Sequence, residues 1–137
     1  MNKKIIAAIF GGVIAILSLV IHANLNTIDQ NILDQTFVIS AVYFENDGYA
    51  EISFLDKSGK TKHVTLEILG MPESFHKEYT STTFVEKIQL SVPKYGWQSI
   101  PITLSVEHEE FGNIGIKTEI RPIGEAKAKI IFSKLDV

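Results

Sequence analysis

The hydrophobic pattern of the chain changes sharply near residue 22. Residues 5–21 are apolar or glycine except for Ser18. At ~1.5 Å rise per residue, a helix of this length is roughly 25 Å long, close to the hydrocarbon core of about 30 Å. The run therefore predicts a helix that spans a membrane, or the apolar part of a signal peptide.

The charges beside this run predict its orientation. Lys3 and Lys4 precede it, and the next basic residue is Lys57. Because cytoplasmic flanks carry the excess of Lys and Arg, we expect the N-terminus in the cytoplasm and residue 24 onward outside. Two outcomes remain open. Residues 1–23 are retained as a single-pass anchor in the cell membrane, or they are cleaved after Ala23 and leave a periplasmic or secreted protein.

Beyond this segment the pattern predicts strands. Residues 24–35 are polar with spaced apolar positions and form a juxtamembrane linker, and residues 36–137 alternate between apolar and polar positions with a period of two. Seven strands are expected, at residues 36–44, 49–55, 60–69, 83–92, 102–107, 114–121 and 126–134. The alternation places apolar side chains inward, among them Ile52, Phe54, Val64, Leu66, Leu104 and Val106. Residues 70–80 interrupt it, and Pro72 favours a short helical turn there.

The predicted fold class is all-β. Strands separated by turn signals every 8 to 14 residues are typical of a seven-stranded antiparallel sandwich of the immunoglobulin-like or fibronectin-like type, here preceded by one N-terminal hydrophobic helix. A small barrel is the alternative. Residues 56–59 have the composition of a tight turn, so strands 49–55 and 60–69 are expected to pair as a hairpin.

Composition narrows the function classes. The chain has no cysteine, which excludes disulfides, cysteine-based zinc sites and a thiol nucleophile. It has no N-x-S/T sequon, so a prokaryotic envelope fits better than a glycosylated ectodomain. Of the 13 basic residues two are Lys3 and Lys4, so 11 stand against 16 acidic residues in the remaining chain. This mildly acidic balance argues against nucleic acid as a partner.

Candidate chemistry is sparse. His76 lies in the interrupted segment, and His108 begins a turn that contains Glu110. If these loops met at one end of the domain, the three side chains would form a site for zinc or copper. No H-x-H or H-E-x-x-H spacing supports this site, and solvated polar residues are the simpler interpretation. No hydrolase elbow, phosphate loop or calcium loop is present, so neither an enzyme nor a cofactor is expected.

Large aromatic residues outside the alternation suggest a contact surface. They are Phe75, Tyr79, Tyr95 and Trp97, in two segments expected to be loops. Loop aromatics often contribute to binding because they bury much area with few torsions. The alternative is that they fold back and fill an open end of the core.

Two functional hypotheses follow. The first is a non-catalytic, membrane-tethered β-sandwich outside the cytoplasm that acts as an interaction or accessory module of the cell envelope. It would contact membrane lipid through residues 5–21 and another envelope or membrane protein through its aromatic loops. The second is a secreted β-sandwich that binds a small ligand or a metal ion through His76, His108 and Glu110.

Overall fold

Strand pairing dominates the computed structural model, which describes residues 29–71, 74–90 and 100–135. The apolar run 5–21, Tyr95 and Trp97 lie outside these residues. Within the described ranges, no helix is both long enough and apolar enough to cross a bilayer. In the same ranges, one short helix precedes eight strands, so the prediction of an all-β domain is confirmed.

The elements have the following bounds. Helix α1 is Gln30–Thr36, and the strands are β1 Phe37–Phe44, β2 Tyr49–Asp56, β3 Thr61–Ile68, β4 Phe75–Tyr79, β5 Thr83–Gln89, β6 Ile100–His108, β7 Gly112–Pro122 and β8 Ile131–Lys134. All seven predicted strands have an observed counterpart, the last of them much shorter than expected. The count of seven was wrong because β4 forms where a helical turn was expected.

The strands form one nearly closed, barrel-like sheet. Their order is β4-β3-β6-β7-β1-β2-β5, and β8 adds to β7 outside this path. β4 and β5 are the two edge strands of this order. Their side chains contact each other, since Lys77 and Tyr79 of β4 both bond to Glu86 of β5. Two separate stacked sheets of an immunoglobulin-like sandwich are not confirmed, and the pairing is not wholly antiparallel because β1 and β7 run parallel. The small barrel was the closer of the two predicted architectures.

The predicted hairpin between β2 and β3 is wrong. β2 pairs with β1 and β5, whereas β3 pairs with β4 and β6. The chain turns a corner between them, where the carboxylate of Asp56 accepts hydrogen bonds from the backbone N–H groups of Ser58, Lys60 and Thr61. Gly59 has φ +68°, a left-handed conformation that glycine adopts without steric cost. This local bonding sends β3 away from β2.

The core lies inside the barrel and follows the predicted alternation. The inward residues Ile52, Val64, Leu66 and Leu104 are all fully buried. Their burial confirms the inward positions predicted from the period of two, since successive side chains in a strand point to opposite faces.

The barrel has two unlike ends. The helix end carries α1 and the connections 57–60, 80–82 and 109–111, and the fork end carries the connections 45–48 and 123–130 and residues 69–71. At the helix end, Asp29 caps α1 by accepting hydrogen bonds from the N–H groups of Asn31 and Ile32. Leu33 is 1 % exposed and joins the core, and Gln30 donates to the carbonyl of Phe132. The helix therefore covers this end of the barrel.

Candidate functional site

The wall of the barrel contains a break between β1 and β7, which starts close to the fork end and opens toward the helix end. β1 pairs with β2 along its whole length, but with β7 only at Val42–Arg121 and Tyr43–Pro122. Further toward the start of β1 the two strands diverge, and β8 occupies the side of β7 at residues 114–117. In the described part of the chain, no strand pairs with residues 37–41 of β1 on this side.

The hydrogen-bond direction along β1 shows which backbone groups face the break. The N–H of Ile123 donates to the carbonyl of Tyr43 at 2.9 Å, so the backbone groups of Tyr43 point toward β7. Because alternate residues of a strand direct both their N–H and C=O to the same neighbour, those of Ile39 and Ala41 point the same way. The carbonyl of Ala41 accepts the N–H of Arg121 in the parallel ladder, because Pro122 has no N–H to offer. Two backbone donors, the N–H groups of Ile39 and Ala41, and one acceptor, the carbonyl of Ile39, therefore face the break.

A groove occupies the break, and we call it the fork groove. It has a volume of about 240 Å³. Its apolar wall consists of Ile39, Ala41, Val42, Ile123, Ala128 and Ile130. Its charged rim contains two carboxylates and two cations, Glu119, Glu125, Arg121 and Lys127, so neither sign predominates. Arg121 is partly engaged, with Nη2 at 3.4 Å from Oε2 of Glu119.

The predicted metal ligand His108 belongs to a buried network at the helix end. Asp56 and His108 are each 3 % exposed. The Asp56 carboxylate accepts five hydrogen bonds, from the N–H groups of Ser58, Lys60 and Thr61 and from the hydroxyls of Ser58 and Thr61. Burial raises the pKa of Asp56, but the donors from Ser58 and Thr61 outweigh it and hold the pKa at about 2.

The network contains a serine, a histidine and an aspartate, but not the geometry of a catalytic triad. His108 Nδ1 accepts the N–H groups of Glu110 and Phe111, so the ring proton is on Nε2. Nε2 lies 3.0 Å from Ser58 Oγ, and that hydroxyl donates to Asp56 at 2.6 Å. The serine proton therefore points to the carboxylate, whereas in a triad histidine accepts that proton and its Nδ1–H donates to aspartate.

The structure does not bring the three predicted metal ligands together. His108 pairs with Thr61, and His76 pairs with Glu67 at the other end of β3. Six residues of strand separate these positions, roughly 20 Å. Glu110 is exposed and pairs with Lys60 at 3.1 Å. Among the described residues, no three His, Cys, Asp or Glu side chains are grouped to hold an ion.

His76 instead joins an exposed row of ion pairs on β3 and β4. Its Nδ1 lies 3.1 Å from Glu67, its Nε2 lies 3.7 Å from Glu78, and His63 lies 3.5 Å from Glu78. The two nitrogens of one imidazole face different carboxylates, so they do not converge on one point. These side chains are largely solvated, and such pairs contribute little to stability.

Two of the four predicted aromatic contact residues lie on β4 rather than in a loop. Phe75 is half-buried and packs against the core. The ring of Tyr79 stacks on Phe84 of β5 at 3.8 Å between centroids, and its hydroxyl donates to Glu86 at 2.6 Å. Burial and the bond to Glu86 raise the pKa of Tyr79. Tyr79 therefore closes the gap between the two edges of the barrel.

The sequence prediction missed the fork groove. Residues 126–130 alternate lysines with small or apolar residues and were assigned to the last strand, whereas the structure leaves them outside it. Pro122 at the end of β7 was a signal that pairing stops there, because proline lacks the N–H of a ladder residue. No local pattern identifies β1 and β7 as neighbours.

Comparison of the chain with protein-family models, with curated proteins and with solved structures found no match. The functional argument therefore rests on the geometry of the described residues and on the pattern of the sequence.

Proposed function

We propose that this protein is a non-catalytic, membrane-tethered interaction module of the cell envelope, and that its fork groove binds an extended segment of another envelope protein. The observation that carries the proposal is the unpaired edge of β1. The N–H groups of Ile39 and Ala41 and the carbonyl of Ile39 face an apolar groove, where a partner strand would satisfy them. Adding a strand to a free sheet edge is a general mode of peptide recognition.

The size of the fork groove favours part of a macromolecule over a whole small molecule. Its volume of about 240 Å³ is below the roughly 300–1,000 Å³ of pockets that enclose drug-sized ligands. The rim carries equal numbers of positive and negative side chains. An uncharged, apolar segment in extended conformation therefore fits the groove better than a strongly charged ligand.

The tether is supported by the sequence. Residues 5–21 have the length and apolarity of a membrane helix, and Lys3 and Lys4 favour a cytoplasmic N-terminus. The chain then enters the barrel at the helix end, through Asp29. The fork groove runs along the side of the barrel, from the fork end to the level of Ile39, where it would stay open to partners. A non-catalytic role is supported by the use of Asp56, Ser58 and His108 in an internal hydrogen-bond network.

The proposal is tested by photocrosslinking in membranes of the producing cells. A photoreactive phenylalanine analogue replaces Ser40 or Ala128 in the fork groove of the full chain. The matched control replaces Val85, which is 60 % exposed on β5. We expect one discrete crosslinked product from both groove positions and none from the control. Equal products from all three positions, or none, would overturn the proposal.

A backbone substitution separates strand addition from mere proximity. Ala41→Pro removes an N–H that faces the fork groove while retaining the ladder bonds to β2, whereas Val42→Pro removes a ladder donor. We expect Ala41→Pro to abolish the crosslink from Ala128 with the fold intact by circular dichroism. An unchanged crosslink would show that the partner does not pair with β1.

Trp97 and Tyr95 remain predicted partner contacts. The residues that flank their segment, Leu90 and Ile100, both lie at the fork end of the barrel. We expect Trp97→Ala to weaken the crosslink from Ala128 while the melting temperature stays unchanged. A large fall in melting temperature would indicate a core role for Trp97 instead.

A further inference from the structure

Three exposed apolar side chains belong to the elements that meet at the helix end. Ile32 on α1 is 48 % exposed, Val38 on β1 is 43 % exposed and Leu55 on β2 is 41 % exposed. Val38 and Leu55 are register partners. Both point out of the barrel, because their neighbours Ile39 and Phe54 point inward and are buried. We call Ile32, Val38 and Leu55 the helix-end patch.

Among the described residues, three of the other four large exposed apolar side chains lie apart from this patch. Leu69 and Ile123 lie in separate connections at the fork end, and Ile131 on β8 is paired with Lys117. Val85 on β5 is paired with Ser53 and is therefore diagonal to Leu55 on the same outer face, so it extends the patch. Isolated apolar side chains are normal on protein surfaces and need no partner. The helix-end patch differs because Val38 and Leu55 form a cross-strand apolar pair, and Ile32 lies on α1, which leads directly into β1.

The position of the patch places it beside the proposed membrane anchor. The apolar run ends at residue 21, and the described chain begins at Asp29, which caps α1. The seven intervening residues span at most roughly 25 Å when fully extended. The helix end is therefore the part of the barrel that the tether holds closest to the bilayer.

The charges around the patch do not select an anionic surface. Asp29 caps the start of α1, Asp34 lies within α1, and Lys57 follows β2. Lys60 is already paired with Glu110. Without a cluster of free lysines, attraction to anionic lipid is weak. The contact that fits this end is an apolar one with the interfacial layer of the lipid.

We propose that the helix-end patch rests in the headgroup layer of the bilayer that holds residues 5–21, and that this contact orients the barrel with the fork end away from the membrane. The inference rests on the tether of the proposed function. Apolar faces of interfacial elements enter the boundary between headgroups and acyl chains by about 5–10 Å. The occupant of the patch is therefore membrane lipid.

The experiment uses the full chain reconstituted in phosphatidylcholine vesicles. Because the chain has no cysteine, each introduced cysteine is a unique label site. An environment-sensitive fluorophore is attached to Ile32→Cys or Leu55→Cys at the helix end, and to Ile123→Cys or Glu67→Cys as controls. We expect a blue shift and quenching by nitroxide-labelled lipid at the first two sites and neither effect at the controls.

A pair of matched variants then tests the patch itself. With the label on Lys57→Cys, the patch variant carries Ile32→Gln, Val38→Thr and Leu55→Thr. The control variant carries Leu69→Gln, Ile131→Thr and Ile123→Gln, which removes the same number of exposed apolar side chains elsewhere. We expect the patch variant to lose the quenching of the label, the control variant to retain it, and both to keep the parental melting temperature.

The possible outcomes separate the two proposals. Retention of the full chain in carbonate-washed vesicles reports the tether, so its loss would overturn both the tether and this inference. Retention with no more quenching at Ile32 than at Ile123 would overturn the inference alone. Loss of quenching in the control variant would also overturn the inference. A blue shift that persists in lipid-free detergent would overturn it too, because it would indicate contact with a second copy of the chain.

Discussion

The helix end and the fork end of the sheet differ in how far their polar groups are hydrogen-bonded. At the helix end, a buried carboxylate has five hydrogen-bond donors, and a capped helix covers the core. Next to the fork end, two neighbouring strands separate after two paired positions and leave backbone groups of β1 facing a groove in the barrel wall. Satisfied polar groups stabilise a fold, whereas unsatisfied ones at an accessible edge invite a partner. The contrast suggests that stability concentrates at one end and recognition at the other.

The largest expected effect is on the helix end. Asp56→Ala removes the acceptor of five hydrogen bonds and leaves the buried N–H of Thr61 without a partner. We expect the free energy of unfolding to fall by about 3–4 kcal/mol, measured by urea denaturation. The control Glu110→Ala breaks only an exposed ion pair and should cost at most about 1 kcal/mol. If Asp56→Ala lowered the free energy of unfolding by less than about 1 kcal/mol, the assignment of stability to this end would be contradicted.

Acid should weaken the same network. The folded pKa of Asp56 is about 2 and the ordinary value is 3.8, so the unfolded chain binds the proton more readily. The resulting stabilisation is present above pH about 4 and is lost as the pH falls to about 2, and it amounts to about 2 kcal/mol. Asp56→Asn should remove this part of the pH dependence. If the free energy of unfolding of Asp56→Asn changed with pH as steeply as that of the parental protein, Asp56 would not be the source of this pH dependence.

A smaller effect is expected at the seam between β4 and β5. Tyr79→Phe keeps the stack on Phe84 but loses the hydrogen bond to Glu86, so we expect a loss of about 1 kcal/mol in unfolding free energy. Tyr49→Phe is the matched control on β2. If partner crosslinking disappears in Tyr79→Phe while stability is unchanged, Tyr79 would be a contact residue rather than a closing one.

The smallest effect on stability is expected at the fork end. Ile123 is 61 % exposed, so Ile123→Ser should change the free energy of unfolding by less than about 0.5 kcal/mol. The same substitution should reduce the photocrosslink from Ala128, because it removes part of the apolar wall of the groove. A marked destabilisation would show that the fork end also supports the core and would weaken the contrast between the ends.

The sequence predicts the inward side chains of the strands, but not β4 or the fork groove. Inward residues such as Ile52 and Val64 were predicted correctly because alternation is a local property of an extended chain. β4 was missed because its only inward large side chains, Phe75 and Tyr79, flank three polar residues in a segment that begins after a proline. The site was missed for another reason, since the fork groove is defined by neighbours that lie about eighty residues apart in the chain.

The sequence by itself determined an apolar segment at the N-terminus, an all-β body and the inward face of its strands. Each of these depends on residues close together in the chain, whose side-chain period does not change with the partner strand. Only the tertiary structure decided that β2 leaves β3, that Asp56 meets His108 and that β1 parts from β7. These pairings are long-range, and many strand orders bury the same inward residues equally well, so the alternation alone does not choose among them.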